Sequence, residues 1–268
     1  MTLDERVAAL VEGRPVAAAA DNLGSRLDYY CRLVMAEKLN EAYHELRADN
    51  ALTPDEKKQL ISAVNAGYLF AQDREWGNHG IKRSFRFWTD KQKTIYVQRT
   101  LEIADLMKRE ITPHVSFGFG SVLGMIRDNN FIPHDDDMDL IIALPAERGS
   151  KFATVLARIR QLLLDQNFVV PANHNISHLS TARKGWAGTD IFVGFIDRSE
   201  RVSWFPSARN GLLASDVFPT RTMQFFGSEC PIPRDPLKYL EVTYGPDWRM
   251  PIPNWNHPWD RRQYNDYL

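Results

Sequence analysis

Five aspartates crowd one short stretch of this chain, "FGFGSVLGMIRDNNFIPHDDDMDLIIAL" over 117–144: Asp128, then Asp135, Asp136, Asp137 and Asp139. The last of them lead into a strongly apolar run. Side chains alternate along a strand, so Asp137 and Asp139 are expected on one face with Asp135, with α-carbons about 7 Å apart, while Met138 and Leu140 turn to the core. Carboxylates held that close repel unless a cation sits between them. Oxygen donors suit a hard divalent ion, Mg2+ or Mn2+, which keeps open positions for phosphate oxygens. On this reading Asp137 and Asp139 face solvent and the ion rather than the core.

The competing reading is a solvated acidic loop that happens to precede a strand. Gly120 and Ser121, a little upstream, count against it. They end one strand and open a short helix, a geometry in which backbone N–H groups and a hydroxyl point at an anion. An anion site followed so soon by a cation site reads as a metal–phosphate centre.

The elements that must position these residues change character near residue 113. Before it the pattern is helical: "DNLGSRLDYYCRLVMAEKLNEAYHEL" carries Leu27, Tyr30, Val34, Leu39 and Leu46 at helical spacing. "TPDE" opens another helix with Thr53 as N-cap, Pro54 at the first position and Glu56 closing a capping box. "TDKQ" repeats the device at Thr89 and Gln92, and Val97, Leu101, Ala104 and Met107 then mark a buried stripe. Residues 74–88, "REWGNHGIKRSFRFW", read as a basic aromatic connector. After residue 113, "HVSFGFG", "DMDLIIAL", "HLSTAR" and "GTDIFVGFID" read as strands, and "SVLGMIRD" as about two helical turns. Phe152, Val155, Leu156, Ile159, Leu162 and Leu163 form one apolar helical face. "PRDPLKYLEVTYG" reads as a capped helix before a Pro- and Trp-rich tail. A mixed β-sheet packed with helices, an α+β fold, accounts for this order; residues 1–88 form a helical N-terminal extension and 89–268 the catalytic domain.

Composition narrows the function classes. The chain of 268 residues, 44% hydrophobic, can bury a large core. Thirty-three Lys plus Arg against 34 Asp plus Glu give no global positive field, so nucleic acid is a disfavoured partner. Two cysteines, Cys31 and Cys230, make no disulfide framework and suit a reducing compartment. Charges interrupt the first 24 residues, and no run approaches about 18 apolar residues. No transmembrane segment and a cytoplasmic location are the expectations.

The stretch "FGFGSVLGMIRDNNFIPHDDDMDLII" resembles the LicD/fukutin family of the nucleotidyltransferase superfold. Gly120-Ser121, Gly124, Arg127, Phe131-Ile132-Pro133, the aspartate triplet and Asp139 occur in that family's order and spacing. "TDIFVGF" resembles the strand carrying the family's third acid, and "PIPRDPLKYLEVTYGPDW" its closing segment, so the likeness runs from about 89 to 250. The chain departs from the pattern with His134 in place of a common Trp and Ser121 in place of a frequent Thr.

The resemblance implies that Asp137 and Asp139 hold the metal, with Asp190 as third acid, either a metal ligand or the acceptor of the attacking hydroxyl's proton. By itself Asp190 reads only as a polar residue at a strand end. Gly120 and Ser121 would meet donor phosphates. Arg127 would neutralise phosphate charge or be an exposed helix-surface arginine, and His134 would contact substrate, carry a proton or fill an aromatic slot. Arg221, Arg183 and Lys184 are further basic candidates. Trp248, Trp255 and Trp259 read as packing for the tail.

The activity implied is phosphotransferase chemistry, in which a phospho-substituent such as phosphocholine or an alditol phosphate moves from a CDP-linked donor to a sugar hydroxyl of a surface glycan, as in polysaccharide biosynthesis. The alternative is a nucleotidyltransferase moving NMP from an NTP to a sugar phosphate, small molecule, protein or RNA end. A non-enzymatic relative that binds a nucleotide or glycan is disfavoured by the intact acids. The N-terminal helices are expected to recruit a partner complex or to pair two copies as a homo-oligomer.

Overall fold

The computed structural model describes residues 1–19, 21–172, 175–251, 257 and 260–268. The chain forms two compact units, one of Met1–Trp88 with Pro133–Asp136, the other of Thr89–Ile132 with Asp137–Leu268.

The first unit contains helices α1 (Leu3–Val11), α2 (Asn22–Met35), α3 (Leu39–Ala48) and α4 (Pro54–Val64). Thr53 caps α4 through a full capping box with Glu56, as its sequence requires. The helical stretch from Asp21 to Leu46 is two helices, broken where Glu37 takes a φ of 58°. Leu27, Val34, Leu46, Leu60 and Leu69 are buried together in this unit's core. Residues 74–88 are more than a connector: β1 (Glu75–Gly77) and β2 (Gly80–Lys82) form an antiparallel hairpin. The buried Asn65 side chain clips it to the helices, accepting from the N–H of Trp76 at 2.7 Å and donating to its carbonyl at 3.2 Å. Pro133–Asp136 join this unit through N–H donation from Phe85 to the Asp135 carbonyl and from Arg86 to the Pro133 carbonyl, at 2.8 and 2.7 Å.

The second unit is built on a sheet, and its first helix, α5 (Asp90–Glu110), starts at the capping box of Thr89 and Gln92. Val97, Ala104 and Met107 are buried along it. Then follow β3 (Val115–Phe117), the short α6 (Phe119–Leu123), β4 (Met138–Pro145), α7 (Phe152–Asp165), β5 (His178–Thr181), β6 (Thr189–Ile196), β7 (Arg201–Trp204), β8 (Leu212–Leu213) and α8 (Ala214–Val217). A separate hairpin, β9 (Arg221–Phe225) with β10 (Ser228–Ile232), precedes α9 (Pro236–Tyr244). The sheet order is β3-β4-β6-β7-β8, with β5 also on β6. β4 and β6 are parallel and the remaining pairs antiparallel, so this is the mixed α+β sheet expected. A parallel pair needs a long crossover. Here α7 and β5 lie within it, and Phe152, Leu156, Ile159 and Leu163 bury the apolar face of α7.

β5 and β7 share the far edge of β6, with β5 opposite Thr189 to Phe192 and β7 opposite Gly194 to Ile196. Where β7 meets β6, the Trp204 indole donates to the Ile142 carbonyl at 2.8 Å. That packing leaves no room at Gly194, where an added Cβ would lie 2.6 Å from the indole nitrogen and 2.7 Å from the Ser203 carbonyl. Among the described residues, no helix is long and apolar enough to cross a membrane.

Gly194→Ala tests this core. The added methyl meets main chain as well as a buried ring, so overpacking is expected to cost about 1–3 kcal/mol. A fall in melting temperature of several degrees, read by calorimetry, is the expected outcome; an unchanged melting curve would show that β6 and β7 are not packed this way.

Candidate active site

Asp139 is the second residue of β4 and Asp190 the second residue of β6, and the parallel register sets them directly opposite each other. Residues paired across a ladder project to the same side of the sheet. Both strands begin at this end, so the two carboxylates share one edge of the fold. Asp137 immediately precedes β4 and belongs to the same unit.

Asp139 is only 8% exposed, whereas its sequence suggested a solvent-facing side chain. The reason is its place on an inner strand of the sheet, next to α6. Its main chain is held from one side by the preceding turn. Gly118 donates its N–H to the Asp139 carbonyl at 3.0 Å, and the Asp139 N–H donates to Ser121 Oγ at 2.8 Å. Ser121 thus uses its oxygen to hold the acid-bearing strand and keeps its own proton to donate. The expected flanking residues, Met138 and Leu140, are buried as their alternation requires.

The turn itself is unusual. β3 ends at Phe117 rather than running on to Phe119, because Phe119 takes a φ of +36°, a region that bulky residues avoid. Tyr239 Oη accepts the Phe119 N–H at 2.9 Å, and the ring packs on Phe192 and His257. At Gly118 an added Cβ would stand 2.4 Å from Ile141 and 3.2 Å from the Tyr239 hydroxyl, so only glycine fits. Gly120 is half-buried inside α6.

Asp190 carries polar neighbours from β5 that its sequence context did not single out. Ser180, its register partner, donates its hydroxyl to Asp190 Oδ1, and His178 Nε2 lies 3.7 Å from Oδ2. The available signal was the period of two in "HLSTAR", which puts His178 and Ser180 on one face.

Other candidates sit elsewhere. Asp135 does not continue the strand that carries Asp139: it belongs with Asp136 and His134 to the first unit, since the chain at 133–136 bonds to residues 85 and 86 instead of extending β4. In that unit, Asp135, Asp136 and His79 present ligand atoms within 4.8 Å of one another. Asp136 is compensated there by Lys82 and by His79 Nδ1 at 3.0 Å. Burial raises its carboxyl, but those hydrogen bonds outweigh it and hold Asp136 below the usual range. Burial and the adjacent Asp136 push Asp135 up to about 6. His134 is exposed and so does not fill an apolar slot. Arg127 makes a two-pronged pair with Asp128, at 3.0 and 2.8 Å. Arg221 is exposed on the β9–β10 hairpin. Arg183 donates to the Gln166 carbonyl at 3.0 Å and stacks on Phe168, while Lys184 is exposed. Trp248 is buried; Trp255 and Trp259 lie outside the described residues.

Residues 115–235 match the family model described as LicD/FKTN/FKRP, nucleotidyltransferase domain. This segment is similar to the LicD/FKTN/FKRP family. The match contains β3, the 118–121 turn, all three acids and both strands that carry them. Among curated proteins, the chain is similar to ribitol-5-phosphate transferase FKTN from Macaca fascicularis (25% identical over 155 residues) and Homo sapiens (24% over 155 residues), each alignment covering 54% of this chain. The mouse protein is 25% identical over 146 residues. The matched region spans 31% of the length of the macaque and human proteins. A solved structure of lincosamide antibiotic adenylyltransferase LnuA with lincomycin bound superposes with a TM-score of 0.33 and 10% identity, over 51% of this chain and 78% of that one.

Beside the turn, burial pushes the His257 imidazole down to about 4. The unfolded chain takes up a proton near pH 6.5 while the folded chain resists it, so this contribution to stability is complete above about pH 6.5 and is lost as pH falls towards 4. The slope approaches about 1.4 kcal/mol per pH unit. His257→Phe keeps an aromatic ring against Phe119 and is expected to flatten the acid limb of stability measured by denaturant titration between pH 7 and 4.5. Parallel wild-type and variant profiles would show that the imidazole is solvated.

Proposed function

We propose that this protein is a metal-dependent phosphotransferase that moves a phospho-substituent, of the phosphocholine or alditol phosphate type, from a CDP-linked donor to a sugar hydroxyl of a glycan. The single observation that carries the proposal is the register that sets Asp139 opposite Asp190 at the start of two parallel strands, inside the family-matched segment. The activity for which the FKTN relatives are named, ribitol-5-phosphate transfer, supports the class of group carried.

The donor set fits the ion. Asp137 and Asp139, with Asp190 beside them, offer carboxylate oxygens alone, which select Mg2+ or Mn2+ over softer metals. A divalent ion held by them would neutralise donor phosphate charge. The chain's own residues do the rest. Asp190, oriented by the Ser180 hydroxyl, would take the proton of the attacking sugar hydroxyl or add a ligand to the ion. Ser121 keeps a hydroxyl proton to donate to a phosphate oxygen, and the amide of Gly120 lies beside it. In the transfer, the sugar oxygen bonds to the carried phosphorus, the bond from that phosphorus to the bridging oxygen of the donor breaks, and CMP leaves. Positioning and charge neutralisation dominate such a reaction, so no covalent nucleophile is required. The proposal assigns this catalysis to 89–268, with 1–88 as an extension that engages a partner or a second copy.

The family model's own description, a nucleotidyltransferase domain, supports a second reading in which an NTP is the donor. The products separate the two. Incubation with Mg2+, a CDP-linked donor or an NTP, and sugar acceptors is expected to release CMP in step with modified acceptor. Pyrophosphate from an NTP, with CDP-linked donors untouched, would overturn the phosphotransferase reading. Asp139→Asn is expected to lower turnover at least about a hundredfold with melting temperature monitored in parallel; near wild-type turnover at saturating Mg2+ would remove Asp139 from the site.

A further inference from the structure

The end of the β4–β6 ladder is closed by a side chain. In a parallel pair, the N–H of one residue reaches towards the carbonyl one position before its partner. Met138 is paired with Thr189, so its N–H is directed to the Gly188 side of the ladder. It donates instead to Tyr96 Oη, at 2.8 Å, and that hydroxyl donates its own proton to the Gly188 carbonyl. One phenol oxygen therefore stands between the two strands, in contact with the residue between Asp137 and Asp139 and with the residue two before Asp190.

The hydroxyl is held where it is by packing. Tyr96 is 3% exposed on α5 and its ring lies nearly parallel to Phe131, centroids 6.2 Å apart. Phe131 in turn packs on Phe225 and Phe226. One helical turn further along α5, the buried Thr100 hydroxyl contacts Thr189 Oγ1 at 3.2 Å and Met138 Sδ at 3.5 Å. Two successive turns of one helix thus touch the same strand pair at the same end. On the opposite side of β4, Gly118 and Ser121 hold the main chain of Asp139. The acid-bearing end of β4 is fixed from both sides; Thr100 bridges the two strands through side-chain atoms, and Tyr96 bridges β4 and the residue leading into β6 through their main-chain N–H and carbonyl with one atom.

We propose that Tyr96 is a positioning residue for the three acids: its hydroxyl sets the spacing of the β4 and β6 starts and so the separation of Asp137 and Asp139 from Asp190. The inference rests on the reading of those acids as the metal site. It assigns Tyr96 no contact with substrate.

Tyr96→Phe keeps the ring and its stacking while leaving the Met138 N–H and the Gly188 carbonyl without their shared partner. Tyr264→Phe is the matched control, because Tyr264 is equally buried and donates to a main-chain carbonyl, that of Ser207, at 2.9 Å. In Tyr96→Phe the Met138 amide is expected to exchange with solvent at least about fivefold faster, Mn2+ affinity to fall about three- to tenfold, and kcat to fall with little change in donor KM. Tyr264→Phe is expected to lower the melting temperature without altering any of the three, and fluorotyrosine at position 96, which retains the hydroxyl, to restore them. Unchanged Met138 exchange, or faster exchange with unchanged Mn2+ affinity and kcat, would overturn the proposal. Should Tyr96→Phe not fold, the wild-type protein still decides: a Met138 amide that exchanges as fast as an exposed one contradicts the bond. Mn2+ binding that also ignores Asp139→Asn would sink the metal-site reading, whereas the Met138 amide tests the Tyr96 clamp independently.

Discussion

Parallel pairing of β4 with β6 is the constraint on which the rest of the second unit depends. It fixes Asp139 against Asp190 with no freedom to slip, because a shift of one residue would turn Ile141, Val193 and their buried neighbours towards the wrong face. The long crossover containing α7 exists because parallel neighbours cannot be joined by a tight turn. Apolar burial along both strands therefore stabilises the same register that brings two carboxylates together. Fold and chemistry are not separable at this point: the hydrophobic residues that hold the ladder are what keep like charges side by side.

The glycine–serine turn acquires a second task from this arrangement. Its sequence suggested an anion cradle, and the structure shows it gripping the N–H and carbonyl of Asp139 through Ser121 and Gly118. A backbone so held tolerates little movement, which accounts for a left-handed Phe119 pinned by the Tyr239 hydroxyl. Strain of about 1–3 kcal/mol at such a residue persists only where its surroundings over-determine it. Here Tyr239, Phe192 and His257 do so.

Much of this was legible in the sequence, and the limits have physical causes. Capping boxes at Thr53 and Thr89 and the apolar face of α7 are local signals, and each element formed where its residues indicated. Asp137 and Asp139 stood out as acids crowded before an apolar run, whereas Asp190 could be picked out only through the family pattern, since its pairing with Asp139 joins residues 51 positions apart that no local period connects. Asp135 was misplaced because strict alternation was carried back beyond the start of β4, whereas residues 133–136 pair with the connector at 85–86. Tyr96 was not singled out in the sequence; its hydroxyl matters through main-chain atoms of residues 138 and 188, which carry no side-chain signature. His178 and Ser180 share a face in the sequence, but their link to Asp190 was hidden because β5 meets β6 only in three dimensions.

Among the described residues, two acidic groups compete as the home of a divalent ion. Asp136 is already compensated by Lys82 and His79, while Asp139 and Asp190 are set opposite each other on adjacent strands. The account requires the ion at the strand ends. Anomalous diffraction from crystals soaked in Mn2+ measures this directly. The expected result is a peak within bonding distance, about 2.1 Å, of the Asp139 carboxylate together with Asp137 or Asp190; a peak on Asp136 and His79 with none at Asp139 would contradict the account.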